Sequence, residues 1–136
     1  MTAFEVRTGR RTEFVEITLQ VRSAVKAVGL KSGVCVVYCP HTTGAITIQE
    51  NADPDVVRDM LLWLNGHIPK ELPGFRHAEG NSDSHIKSSL VGSSATVIVE
   101  NGDLVLGTWQ GVYFCEFDGP RSRTVMVQTI GNTGPG

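Results

Sequence analysis

An Asn-Gly pair in the C-terminal third constrains the fold of this chain more than any other feature. Asn101 and Gly102 separate the alternating segments "TVIVE" and "DLVLG", and such a pair between alternating segments is the strongest short-range signal of a β-hairpin. Two further strand-like segments, "GVYFCEF" and "RTVMVQTI", follow on either side of the turn "DGPRS". This third of the chain therefore predicts antiparallel β-sheet.

Three segments between the predicted strands show helical patterns. "QVRSAVKAVGLKSG" carries apolar residues at helical spacing. "ADPDVVRDMLLWLNG" predicts a second helix with Asp53 as its N-cap, Pro54 at its first position and Gly66 at its end. "SDSHIKSSLVG" predicts a short third helix capped by Ser82 or Asp83. With about seven or eight strands and two or three helices, the chain is predicted to be an α+β domain of largely antiparallel sheet.

Length, charge and cysteine content limit the class of protein. At 136 residues the chain is long enough for one domain, predicted to span residues 1–136. A formal net charge of -2 argues against a nucleic-acid partner, and the absence of an apolar run of membrane length argues against a membrane partner. The N-terminal "MTAFEVRTGRRTEF" lacks the apolar region of a signal peptide, so a cytoplasmic protein is expected. Cys35, Cys39 and Cys115 lie in apolar segments, which predicts reduced, buried thiols.

Three of the four histidines lie in polar, loop-like contexts and are the candidate metal ligands. His41 follows the apolar run "VCVVYC", which predicts a strand covered on both faces. His77 ends a long loop rich in Pro and Gly, and His85 opens the third predicted helix. Three protein ligands plus water make the usual open catalytic zinc site, and imidazole is a common ligand. Because the spacing matches no compact metal motif, three unrelated surface or capping histidines are the alternative.

Two glutamates and a tryptophan are candidates for catalysis. Glu79 has no evident structural role and is the preferred general acid or base. Glu116 falls on an apolar face of its predicted strand, so its carboxylate is expected beside a cation or in a wet cavity. Trp109 stands between two glycines in "GTWQG" and has three possible roles: stacking on a planar ligand, anchoring a subunit interface, or packing in the core.

A second group of residues has the chemistry to bind a phosphorylated small molecule. The N-terminus of the third helix offers free N–H groups and a favourable dipole, and the arginine fork suits phosphate. Threonine hydroxyls directly after His41 can orient ligands or satisfy backbone groups. The candidates are Thr42, Thr43, Lys87, Ser88, Arg121 and Arg123. From the residues alone, the favoured alternative for the basic members is a solvated helix face with ordinary turn arginines.

Three stretches together resemble a known family. "PHTTGAITIQENADPDV", "HAEGNSDSHIKSSLVG" and "NGDLVLGTWQGVYFCEFDGPRSR" are similar, in sequence and in order, to the YjbQ-type family, which is known as secondary thiamine-phosphate synthase enzymes. The resemblance covers nearly the whole chain. It implies a compact α+β fold with a bent sheet core, a homotrimer, and a metal, expected to be zinc, at His41, His77 and His85.

The resemblance also implies a reaction. It is the condensation of hydroxymethylpyrimidine pyrophosphate with thiazole phosphate, which releases pyrophosphate. Cationic groups must take up the charge that develops on the leaving group, so arginines are expected there, with magnesium as a possible second metal. One alternative is a zinc-dependent hydrolase of a small phosphorylated or amide substrate, with Glu79 or Glu116 moving the proton of the bound water. A non-catalytic trimer that binds a metal or a metabolite is the other.

Overall fold

The computed structural model describes residues 1–134, which form eight strands and three helices. Residues 135 and 136 of the predicted domain lie outside the described residues. The strands are β1 (Thr2–Arg7), β2 (Glu13–Glu16), β3 (Ser32–Tyr38), β4 (Gly44–Glu50), β5 (Ser94–Glu100), β6 (Asp103–Leu104), β7 (Gln110–Glu116) and β8 (Ser122–Asn132). The helices are α1 (Thr18–Val28), α2 (Pro54–His67) and α3 (Ser82–Val91). The predicted α+β class is confirmed.

The strands are arranged in two antiparallel sheets. One has five strands in the order β1-β8-β3-β5-β6, and the other has three in the order β2-β7-β4. The predicted hairpin is confirmed, because Glu100 of β5 pairs with Asp103 of β6 and Asn101 takes the left-handed conformation of such turns, with φ 52°. The chain changes sheet six times, and two of these changes are between β3 and β4 and between β7 and β8. These two connections run side by side, since β3 pairs with β8 and β4 pairs with β7.

The main core fills the space between the two sheets and α1. Alternate residues of the strands point into it, as the period of two along a strand requires. Its fully buried members include Val21, Val25, Cys35, Val37, Ile46, Val99, Val112, Phe114 and Val125. All three cysteines are buried and free, as predicted, and burial raises the pKa of each thiol, so they are protonated at neutral pH.

Helix α2 begins as predicted but ends later. Asp53 is its N-cap and accepts a hydrogen bond from the backbone N–H of Asp55 at 2.9 Å, and Pro54 occupies the first position. The prediction that Gly66 ends the helix is wrong, because α2 continues to His67. Within residues 1–134, no helix is both long enough and apolar enough to cross a bilayer.

Helix α3 has a different cap from the predicted one. Asn81, rather than Ser82 or Asp83, is the N-cap residue. Its carbonyl oxygen accepts from the backbone N–H groups of Ser84 and His85, whereas its side chain makes no capping hydrogen bond. Asp83 lies inside the first turn and is fully buried, so its carboxylate is free to make tertiary contacts.

The prediction that β3 is covered on both faces is wrong. Cys35 and Val37 face the core, but Val34 and Val36 on the other face are only half-buried and Tyr38 is exposed. The apolar run therefore lies in the centre of a five-stranded sheet that packs on one side only. Its outer face remains apolar and open.

Candidate functional site

A pocket of about 410 Å³ lies where the β3–β4 and β7–β8 connections meet the segment that leads into α3. Its walls are Pro40, His41, Thr42, Thr43, His77, Glu79, Asn81, His85, Asp118, Arg121 and Arg123. We call it the histidine–arginine pocket. It contains eight of the twelve predicted site residues, including all three candidate metal ligands and both candidate arginines.

His41 is held at the point where the β3–β8 ladder ends. Tyr38 of β3 pairs with Met126 of β8, so no strand residue of β3 lies opposite Thr124. The backbone N–H of Thr124 donates instead to Nε2 of His41, at 2.9 Å. Burial, together with the positive charge of Arg123, lowers the pKa of His41 below its ordinary value of 6.5. His41 is therefore a neutral imidazole at pH 7, with its proton on Nδ1.

His77, Glu79 and His85 form the more exposed side of the pocket. The rings of His77 and His85 meet edge to face with their centroids 5.4 Å apart. Glu79 Oε2 lies 4.0 Å from His77 Nε2, and 75% of the Glu79 side chain is exposed. The predicted acid or base is thus close to a candidate ligand and open to solvent, where a carboxylate can exchange protons freely.

Glu116 lies behind the pocket wall in a buried ion pair with Arg123. Arg123 Nε donates to Glu116 Oε1 at 2.9 Å, and a second, shorter hydrogen bond joins Arg123 Nη2 to Glu116 Oε2. The Thr8 hydroxyl donates to the same carboxylate at 2.8 Å, and Arg123 Nη2 also donates to the Thr43 hydroxyl at 2.8 Å. Burial alone would raise the pKa of Glu116, but the hydrogen bond from Arg123 outweighs it and the pKa is lowered. Glu116 was expected either beside a cation or in a wet cavity, and it lies beside a cation, Arg123.

Asp118 and Asn81 are pocket residues that sequence reasoning missed. Asn81 Nδ2 donates to Asp118 Oδ2 at 2.7 Å. Arg121 donates to the carbonyl oxygen of Asp118 at 3.0 Å through Nε, and to Oδ2 at 3.3 Å through Nη2. The available signal was their position: Asp118 begins the turn that carries Arg121, and Asn81 immediately precedes the helix that carries His85.

Lys87 was predicted to bind phosphate, but its ammonium group is buried and bonded to side-chain oxygens of the protein. It donates to Asp83 Oδ2 at 2.8 Å and to Asn65 Oδ1 at 2.9 Å, and Arg11 holds the same Asp83 carboxylate with two bonds of 3.0 Å. Burial opposes ionisation of Asp83, yet the hydrogen bonds from Arg11 and Lys87 prevail and lower its pKa to about 2. The network fastens α3 to α2 and to the segment before β2. Lys87 does not line the histidine–arginine pocket.

Ser88 and Trp109 also lie outside the pocket. Ser88 lines an adjoining groove of about 510 Å³, which shares His41, Thr42 and His85 with the pocket. Trp109 is 61% exposed, in the connection between β6 and β7. It does not face the pocket of its own chain, so the predicted stacking platform and the predicted cation cluster are separate.

The zinc centre at the three histidines stays a prediction. All three line one pocket, although across residues 1–134 no three side chains of the types His, Cys, Asp and Glu are grouped as a metal site. His77 and His85 are neighbours, whereas Nε2 of His41 accepts the hydrogen bond from Thr124. An open catalytic zinc site needs three protein ligands, so His41 would have to lose that hydrogen bond to become the third.

Comparison with known proteins agrees with the resemblance. The family model described as "UPF0047 protein YjbQ-like" matches residues 2–132. The chain belongs to the YjbQ/UPF0047 family. Members similar to it include UPF0047 protein YugU of Bacillus subtilis, 51% identical over 96% of this chain and 99% of that protein. UPF0047 protein MJ1081 of Methanocaldococcus jannaschii is 51% identical over 95% of this chain and 93% of that protein.

Solved structures of YjbQ/UPF0047 proteins share the fold. A YjbQ/UPF0047 family protein of Clostridium acetobutylicum matches with a TM-score of 0.92 and 52% identity, over 96% of this chain and all of that one. The Aeropyrum pernix protein APE1520 matches with a TM-score of 0.91 and 34% identity, over 96% and 98% of the two chains. The YjbQ-like fold predicted from the resemblance is therefore confirmed.

Proposed function

We propose that this YjbQ/UPF0047 protein is an enzyme that acts on a small phosphorylated substrate in the histidine–arginine pocket. The observation that supports this most is the convergence of three histidines, Glu79 and two arginines from distant parts of the chain. A neutral imidazole, an exposed carboxylate and guanidinium groups are the set that proton transfer and phosphate binding require. The reaction we propose is thiamine-phosphate synthesis, as the family resemblance implies.

In that reaction the thiazole nitrogen attacks the methylene carbon of the pyrimidine, a C–N bond forms, and the C–O bond to pyrophosphate breaks. The departing pyrophosphate carries negative charge that the pocket must stabilise. Arg123 is buried and already neutralised by Glu116, whereas the Arg121 side chain is half exposed beside Asp118. Arg121 is therefore the group available to the leaving pyrophosphate, and magnesium on the pyrophosphate oxygens is expected to assist it.

Each histidine has a distinct part in this proposal. Neutral His41, whose Nδ1 carries the proton, orients the substrate as a hydrogen-bond donor. His77 and Glu79 lie where solvent reaches them, and they exchange protons with the leaving group. Trp109 takes no part, because it lies outside the pocket of its own chain.

We also propose the homotrimer that the resemblance implies, with the outer face of the five-stranded sheet as its contact surface. Val34 pairs with Ile98 on one side and with Ile130 on the other, and Ile98 and Ile130 are 58% and 60% exposed. Exposed apolar rows of this kind mark interaction surfaces. Light scattering with Ile98→Arg tests it: the variant should become monomeric while the surface variant Asp59→Arg keeps the wild-type mass. An Ile98→Arg variant that also keeps that mass excludes this face as the contact.

The zinc-dependent hydrolase has less support. It requires His41 to give up the hydrogen bond from Thr124 and the three imidazoles to converge on one ion. Elemental analysis of protein purified without added metal tests it. Near-stoichiometric zinc that disappears in His41→Ala would favour the hydrolase; the absence of zinc in both samples would favour the synthase proposed here, in which magnesium arrives with the pyrophosphate.

The synthase proposal is tested by incubating the purified protein with both substrates, with and without magnesium, and measuring thiamine phosphate. We expect magnesium-dependent product, with the rate reduced about 10- to 1000-fold in Arg121→Ala, because a lost transition-state contact has about that effect. Arg58→Ala, on the exposed surface of α2, is the matched control and should keep the wild-type rate. If no product forms but Arg121 still governs pyrophosphate binding, the protein is the non-catalytic metabolite binder instead.

A further inference from the structure

Two buried side-chain atoms have no hydrogen-bond partner within residues 1–134, and both belong to residues at the candidate site. They are Oδ1 of Asn81, in the wall of the histidine–arginine pocket, and Oγ of Ser88, in the adjoining groove. Buried polar groups are hydrogen-bonded in the great majority of cases, since an unmet group loses its hydration without compensation. A buried, unmet acceptor on a residue that lines a pocket therefore points to a contact that forms when a ligand binds.

The orientation of Asn81 is set by its neighbour. Its Nδ2 donates to the Asp118 carboxylate at 2.7 Å. Exchanging the amide nitrogen and oxygen would bring Oδ1 against that carboxylate, where two acceptors repel each other, so the amide has one allowed orientation. Asp118 is itself held by Arg121. The carbonyl oxygen of the Asn81 side chain is thus the group left over, and it can only accept.

Asn81 also leaves its ordinary structural role unused. Asparagine is among the best N-cap residues because its side-chain oxygen accepts from the first turn of the helix. Asn81 occupies the N-cap of α3, yet its side chain makes no such bond. The residue is 6% exposed. Its side chain bonds Asp118 instead of the helix, and a residue that breaks a local rule in this way is typical of a functional position.

We propose that Asn81 Oδ1 is a recognition point for an amino or amide N–H group on the phosphorylated substrate. The pocket then offers both kinds of contact. Glu79 and Asn81 Oδ1 are acceptors, while Arg121, beside Asp118, supplies N–H donors for phosphate. A ligand that matches both carries an anionic phosphate group and a nitrogen-bound hydrogen. Displacement of the exposed turn between His77 and Gly80, directly before Asn81, gives the ligand access to Oδ1.

This inference depends on the proposed function only for the location of the substrate. The probe is a pair of nucleotides, adenosine 5′-monophosphate and purine riboside 5′-monophosphate, which share the phosphate, the ribose and the purine ring and differ only in the exocyclic amino group, the one N–H group of the base. Calorimetry on the full chain should show the adenosine nucleotide binding at least about tenfold more tightly, because without the amino group the buried acceptor stays unmet. In Asn81→Leu this preference should disappear, whereas inorganic phosphate should bind with unchanged affinity.

Arg121→Ala is the matched control, and it should weaken both nucleotides equally without changing their ratio. If Asn81→Leu does not fold, the ratio on the wild type and the ¹⁵N shift of the Asn81 side-chain amide on binding decide the matter. Equal affinities in the wild type, including no binding of either nucleotide at millimolar concentration, overturn the inference, as does a preference that survives in Asn81→Leu.

The outcomes also separate this inference from the proposed reaction. Absence of thiamine-phosphate synthesis together with the amino preference rejects the reaction and leaves the recognition role of Asn81. Thiamine-phosphate synthesis without the amino preference supports the reaction and rejects the recognition role of Asn81. A ligand-bound crystal structure in which Asn81 Oδ1 bonds an ordered water rather than the ligand also rejects the recognition role.

Discussion

The backbone N–H of Thr124 on β8 donates a hydrogen bond to Nε2 of His41 over 2.9 Å. The imidazole thereby completes the β8 side of a ladder whose β3 strand has ended at Tyr38. One hydrogen bond thus satisfies a strand amide, selects the tautomer of His41 and directs Nδ1–H away from the sheet. It also gives a reason for a polar residue directly after Pro40: the backbone N–H of Thr124 needs an acceptor, and the imidazole of His41 supplies one.

The first prediction concerns the ionisation of His41. Its pKa is lowered by burial and by Arg123, so on acidification the unfolded chain takes up this proton before the folded chain does. Stability should therefore fall as pH decreases below about 6.5. NMR of ¹⁵N-labelled protein should show a neutral ring protonated on Nδ1 at pH 7. A ring protonated on Nε2, or a pKa above 6.5, would contradict the assignment.

The second prediction concerns the buried Asp83–Lys87 pair. Asp83→Asn leaves the ammonium group of Lys87 buried without its counter-charge, and chemical denaturation should show a loss of about 3–5 kcal/mol. The double variant Asp83→Leu/Lys87→Met removes both charges and should recover much of that loss. Because the Asp83 pKa is about 2 in the fold against 3.8 ordinarily, its contribution is present above pH 3.8 and is lost as pH falls towards 2. A single variant as stable as the wild type would show that the pair is not desolvated.

The third prediction distinguishes the structural role of Glu116 from a catalytic one. Glu116→Gln leaves the buried guanidinium of Arg123 without its counter-charge and weakens the bond from Thr8, so the free energy of unfolding should fall by about 3–5 kcal/mol. The pH profile of any activity should keep its shape, since the ionised carboxylate faces Arg123 rather than substrate. Glu79→Gln is the comparison and should alter that profile. A pH profile changed by Glu116→Gln but not by Glu79→Gln would make Glu116 the catalytic carboxylate and Glu79 the dispensable one.

The fourth prediction concerns two glycines in opposite settings. Gly33 of β3 pairs with Gly131 of β8, and a Cβ on Gly33 would lie 2.0 Å from the carbonyl oxygen of Ile130. The φ of Gly33, 152°, is also unfavourable for a residue with a side chain. Gly33→Ala should therefore lower the free energy of unfolding by at least about 1 kcal/mol. Gly66→Ala, inside α2 with no atom within 4 Å of the new methyl group, should instead raise it by about 0.5–1 kcal/mol. Thermal denaturation of the two variants checks both signs.

Local signals in the sequence account for most of the secondary structure. The Asn101-Gly102 turn, the Asp53 cap and the Pro54 start were predictable because their physics involves only neighbouring residues. Predictions failed where a neighbour in space decides. Helix α3 is capped by Asn81, while Asp83 is engaged by Arg11 and Lys87; α2 runs one residue past Gly66, to His67.

The same division holds for the site. His41, His77, His85 and Glu79 could be nominated from their types and polar contexts, and the pocket does bring them together. Lys87, by contrast, is of a residue type that binds phosphate, but in the structure it is buried as the counter-ion of Asp83. Asp118 and Asn81 were missed although their positions were a signal, because the hydrogen bond that gives them significance joins residues 37 positions apart.

By itself, the sequence determined the family, the α+β class, the hairpin and the kinds of chemistry available, because periodicity, turn residues and side-chain types are local properties. Only the tertiary structure decided which charges are consumed in buried pairs and which face the pocket. The reason is energetic: a buried charge must be paired, and whether a group is buried depends on the packing of the whole chain. Thus Arg123 is buried in a pair with Glu116, while Arg121, two residues earlier, pairs with Asp118 in the pocket wall and stays half exposed.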